Sequence, residues 1–92
     1  MRPVRTHTFN GIRYYIYIVP EGVSGLCENK PDKSHGIWIF EDIRTRDGII
    51  TVIHEGMHAS QPSLSEETVD RMSREIGTLM YRMGYRWKPP NG

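Results

Sequence analysis

The hydrophobic period of the chain changes near its middle. Over residues 11–19 (Gly-Ile-Arg-Tyr-Tyr-Ile-Tyr-Ile-Val) Ile12, Tyr14, Ile16 and Ile18 alternate with Arg13, Tyr15, Tyr17 and Val19. A period of two in β-branched and aromatic residues predicts a strand, which Pro20 closes. Residues 20–35 are broken by Pro, Gly and Asn and read as a loop region, with a short strand candidate at 26–28. Residues 36–40 (Gly-Ile-Trp-Ile-Phe) predict another short strand, with Ile37 and Ile39 on one face and Trp38 and Phe40 on the other.

From about Asp47 the period becomes helical. Ile49, Ile50, Ile53 and Met57 predict a helix over about 46–60, with Thr45 or Asp47 as its cap, and Gln61-Pro62-Ser63 breaks it. A second helix is expected from about Ser65 to Met83. Its apolar stripe is Val69, Met72, Ile76, Leu79, Met80 and Met83, its cap Ser63 or Ser65, and Gly84 is placed to end it in a left-handed turn. The tail from Lys88 is expected to fray. A strand-rich half followed by a helix-rich half predicts an α+β fold, a small antiparallel β-meander packed on two helices.

Composition narrows what such a fold does. At 92 residues the chain has material for one core, so 1–92 is expected to be a single domain. Lys plus Arg number 12 and Asp plus Glu 11, and that balance argues against a nucleic-acid binder working through counterion release. No apolar run approaches membrane-spanning length, so no membrane partner is expected. The single Cys27 cannot form an intrachain disulfide, and no signal-peptide pattern precedes the first strand, so a cytoplasmic location is expected. A small domain without disulfides commonly gains stability from a metal, an oligomer or close packing.

Residues 54–58 read His-Glu-Gly-Met-His, an HExxH pattern inside the first helix. Positions four apart share a helix face, so His54 and His58 can aim both imidazoles at one ion. Glu55 lies beside that ion rather than on it, where it can take a proton from an activated water. Zinc suits such a donor set and brings the pKa of a bound water to about 7.

A catalytic zinc takes a third protein ligand. Downstream, Glu66, Glu67 and Asp70 are available; upstream, His35, Cys27 and His7. At about 100° per residue, Glu66 falls on the edge of the buried face of the second helix, whereas Glu67 points nearly opposite. Ser73 and Gly77 continue the Glu66 edge, and a glycine inside a helix suggests close approach to another element. Glu66 is therefore the favoured ligand and Glu67 the alternative. Asp70, four residues on, is placed to accept the remaining ring N–H of a ligand histidine. The acidic residues also suit a helix first turn, and Ser63-x-x-Glu66 has the form of a capping box.

An HExxH helix followed by a Glu on the next helix, with ExxxD, resembles the gluzincin metallopeptidases. The compact run Ile-His-Glu-Gly-Met-His-Ala, then Leu-Ser-Glu-Glu-Thr-Val and a closing Met-Gly-Tyr-Arg, resembles small HExxH proteins, often phage-encoded, with a reduced gluzincin core. The Gly-Leu-Cys and Gly-Ile-Trp-Ile segments are similar to SprT-type zincin cores. The resemblance implies that residues 36–40 form an edge strand pairing with an extended peptide. Residues 59–65 alone separate His58 from Glu66, much less than in large gluzincins, and the metzincin HExxHxxGxxH pattern is absent.

The expectation is a zinc metallopeptidase-like protein acting on a peptide or protein substrate. His54, His58 and Glu66 hold Zn2+, Glu55 is the general base and Asp70 supports a ligand histidine. Tyr81, Tyr85 and His35 are the candidates for stabilising an oxyanion. The alternatives are a zinc-stabilised, non-catalytic binding module with a zincin shell, and a metal-free protein presenting the 65–83 helix to a partner. Tyr14, Tyr15, Tyr17, Trp38 and Phe40 read as core and sheet surface, Arg71, Arg74, Arg82, Arg86 and Lys88 as a solvated helix face, and Cys27 as a small buried apolar residue.

Overall fold

A computed structural model describes residues 3–19 and 35–88; Cys27 and the 26–28 strand candidate lie outside these residues. The described chain runs β1 (Arg5–Phe9), β2 (Ile12–Ile18), β3 (Gly36–Ile39), α1 (Arg46–Ser60) and α2 (Glu66–Arg82). The α+β expectation holds: a three-stranded sheet packs against two helices.

The sheet is built differently from a meander. β1 pairs antiparallel with β2, from Arg5 opposite Ile16 to Phe9 opposite Ile12, but β2 pairs parallel with β3, with Ile16 opposite Ile37 and Ile18 opposite Ile39. A parallel pair needs a crossover of about a dozen residues or more, and residues 19–35 are long enough to supply it. β1, absent from the expectation, is joined to β2 by Asn10-Gly11 with φ of 51° and 77°. Two successive positive φ values suit the right-handed twist of a two-residue hairpin, which is why Asn-Gly is favoured there.

One sheet face makes the core. Ile37, Ile39 and Ile43 bury against Ala59 of α1, with Phe9, Tyr14, Ile16, Ile18 and Trp87 packed around them. On the other face Tyr17 stacks on Trp38 with centroids 4.7 Å apart and planes 7° from parallel. Burial of apolar and aromatic area on this scale is the main stabilising term in so small a fold.

Helix bounds follow local chemistry. Thr45 caps α1, its Oγ1 accepting from Gly48 N at 3.1 Å and donating to Asp42 O at 2.6 Å. Asp42 accepts from Arg44 N and pairs with the Arg44 guanidinium at 2.8 Å; these hydrogen bonds hold its carboxyl down at about 2. Ser65, not Ser63, caps α2 and accepts from Thr68 N at 3.1 Å, while Ser63 Oγ accepts from Gln61 Nε2. The capping box from Ser63 to Glu66 is therefore not formed, and the Glu66 carboxylate is left for other partners. Gly84, at φ 95°, ends α2 as expected: Tyr85 N donates to Met80 O and Gly84 N to Tyr81 O.

α1 lies between the sheet and α2. Its Gly56 faces the Phe9 ring of β1, which a Cβ would approach to 3.4 Å. Toward α2, Ile50 meets Gly77, the close approach anticipated for that glycine. The buried face of α2 is Val69, Ser73 and Gly77, whereas Ile76, Leu79 and Met83 are exposed. The buried stripe is thus rotated toward Glu66, away from the Ile76, Leu79 and Met83 side of the expected stripe. Small side chains at four-residue spacing let the helix axes approach, and close packing outweighs the bulk of the neighbouring apolar residues.

Candidate metal centre

The rotation of α2 turns its first turns toward the HExxH face of α1. Glu66 projects from the first residue of α2 and meets both histidines at once. Its Oε1 lies 2.8 Å from His54 Nε2 and its Oε2 2.7 Å from His58 Nε2. The two Nε2 atoms are 3.2 Å apart, one helical turn separating their residues. His54, His58 and Glu66 each offer one ligand atom within 4.8 Å of the others. The imidazoles are partly buried against the helix pair and the carboxylate is exposed, so the centre opens to solvent.

Asp70, one turn after Glu66, reaches the far side of His54: its Oδ1 is 3.3 Å from His54 Nδ1. A proton on Nδ1 is then donated to Asp70, and Nε2 of a neutral ring presents its lone pair to the same point as Glu66. Ser73, fully buried, supports this turn by donating its hydroxyl to Asp70 O at 3.1 Å. The sequence marked Ser73 only as a continuation of the Glu66 edge; its spacing of four from Val69 and Gly77 is the signal of its burial.

Two imidazole nitrogens and a carboxylate facing one point repel through their lone pairs unless protons or a cation sit between them. Protons on both rings satisfy the arrangement, and so does one cation. The donor chemistry fits zinc: metal–nitrogen bonds of about 2.0–2.1 Å in a tetrahedron put ligand atoms roughly 3.3 Å apart, near the 3.2 Å between the two nitrogens.

Glu55 follows His54 by one residue, hence about 100° around α1, beside the centre and not on it. It is half-buried, and no hydrogen bond or ion pair engages its carboxylate among the described residues. Glu67 is exposed and outside the group. His7 packs against the Phe9 ring and His35 against the Tyr14 ring, on the sheet. Tyr81 and Tyr85 are not available as oxyanion donors. Tyr81 is about 22 Å along α2 from Glu66 at 1.5 Å per residue, under the Arg86 guanidinium. Tyr85 lines a cavity on the other flank of α1.

Comparison with protein-family models, with curated proteins and with solved structures finds no match to the chain. No helix among the described residues is long and apolar enough to cross a membrane.

Proposed function

We propose that this chain is a zinc metallopeptidase-like domain that hydrolyses peptide bonds, with His54, His58 and Glu66 as ligands. The observation that carries the proposal is the convergence of both Nε2 atoms on one carboxylate from a second helix. The gluzincin-like order of HExxH, then Glu, then Asp four residues on supports the same reading. Zinc held there supplies Lewis acidity and an acidified water.

The residues of the chain do the rest. Asp70 orients His54 through Nδ1, keeping Nε2 turned to the ligand point. Glu55, without a polar partner among the described residues and beside that point, takes the proton of the attacking water and returns it to the leaving amine. β3, at one end of the described sheet order, offers the segment along which an extended substrate is proposed to lie. The single Cys27 supports a cytoplasmic, reducing setting for this activity.

Elemental analysis of protein purified without added metal tests the ligand set. One zinc per chain is expected in the wild type and after Glu67→Ala, with loss after Glu66→Ala. A folded wild type without zinc overturns the proposal. Glu55→Gln is expected to keep the zinc and abolish cleavage of a peptide library; activity surviving that change removes Glu55 from its role. Zinc retained with no cleavage by the wild type leaves a zinc-stabilised binding module.

A further inference from the structure

The helix face that the close packing of α1 and α2 leaves outside is unusually apolar. Ile76, Leu79 and Met83 are 42%, 57% and 68% exposed, and Tyr85, just past the helix, is 58% exposed. Val52 of α1, 43% exposed, continues the patch: Val52, Met80 and Tyr85 line one apolar cavity of about 250 Å³. Large apolar residues gathered on one side of a small domain mark an interaction surface more often than scattered ones do.

We infer that this face is an isologous interface on which α2 of a second copy of the chain packs antiparallel. Met72, Ile76, Leu79 and Met83 recur at spacings of four, three and four, the seam pattern of paired helices. In an antiparallel pair centred on this seam, Ile76 faces Leu79 of the other copy and Met72 faces Met83. Glu75 and Arg82 flank the seam on its outer side, one heptad apart and opposite in charge. The antiparallel register sets Glu75 of each copy across from Arg82 of the other, two complementary contacts related by the twofold axis. A parallel pair instead sets Glu75 across from the uncharged Met80 position and Arg82 across from position 87, beyond the end of α2. The charge pattern therefore selects a second, inverted copy of the same helix.

Among the described residues nothing competes strongly for these charges. Arg82 makes no ion pair among the described residues. Glu75 pairs only with Arg71, four residues away at 3.2 Å with both side chains mostly exposed, a contact of small energy. The stripe lies roughly 80–140° around α2 from Glu66, so pairing leaves the candidate metal centre open. The inference does not rest on that centre binding zinc.

Sedimentation velocity on the full chain at 1–200 μM and low salt tests it. The expected mass rises with concentration from 10.7 kDa toward twice that value, and Leu79→Glu holds it at the monomer. Arg82→Glu, which places like charges across both contacts, weakens dimerisation about tenfold, and the double change Glu75→Arg with Arg82→Glu restores it. Circular dichroism of each variant confirms that α2 is formed. A monomer throughout the range overturns the proposal, as does a dimer indifferent to Leu79→Glu or a charge swap that fails to restore association. Slow deuterium exchange of the stripe side in such a monomer assigns its cover to another part of the same chain. Association only with a different protein assigns it to a heterologous partner.

Discussion

Gly77 of α2 sits so close to Ile50 of α1 that a Cβ on Gly77 would lie 2.6 Å from Ile50 Cγ1 and 3.0 Å from Ile50 Cα. The two helices that carry the candidate ligands meet through a residue with no side chain. The neighbouring atoms are backbone and the stiff inner part of a β-branched side chain, so they yield little.

Gly77→Ala is therefore expected to destabilise the protein by about 1–3 kcal/mol through overpacking. On helix propensity alone the same change gains about 1 kcal/mol. Urea denaturation decides the sign, and a stabilised Gly77→Ala variant disproves the close approach.

Tyr17 is 1% exposed, and its hydroxyl is buried without a hydrogen-bond partner among the described residues. An unpaired buried hydroxyl costs free energy, whereas the ring stacked on Trp38 repays its burial. Tyr17→Phe is expected to leave stability unchanged or raise it by up to about 1 kcal/mol. Tyr17→Ala removes the stack and costs about 3–5 kcal/mol. Thermal unfolding of the two variants separates the hydroxyl from the ring.

The hydrogen bonds from Arg44 hold Asp42 at about 2, below its ordinary 3.8. A carboxylate depressed in the folded state contributes stability that is complete above its unfolded value and is lost as pH falls through the folded one. Carboxyl-carbon NMR is expected to show Asp42 titrating near 2 in the wild type and moving toward 3.8 in Arg44→Ala. An unmoved midpoint excludes Arg44 as the cause.

Both helices were legible in the sequence because their boundaries rest on local chemistry. Thr45, Ser65 and Gly84 each satisfy or end a helix terminus through backbone atoms a few residues away. Glu66 was legible because helical phase alone distinguishes it from Glu67. β1 was missed because Arg5-Thr-His-Thr-Phe9 carries almost no apolar pattern, although Asn10-Gly11 before Ile12 is a hairpin signal. The parallel β2–β3 pair depends on how residues 19–35 return, which no period in either strand encodes. The buried face of α2 differs from its apolar stripe for another reason: apolarity points to Ile76 and Leu79, but the small Ser73 and Gly77 allow the closest contact.

The joining of α1 to α2 through residues 61–65 has a consequence for where chemistry is written in this molecule. Loop-closure entropy grows with the length of chain between contacting elements, and β2 and β3 must close over residues 19–35 before they meet. His54, His58 and Glu66 fall within one short stretch at the helical hairpin. The candidate centre thus closes over a shorter stretch of chain than the parallel β2–β3 pair, and its geometry is set by two helices that are neighbours along the chain.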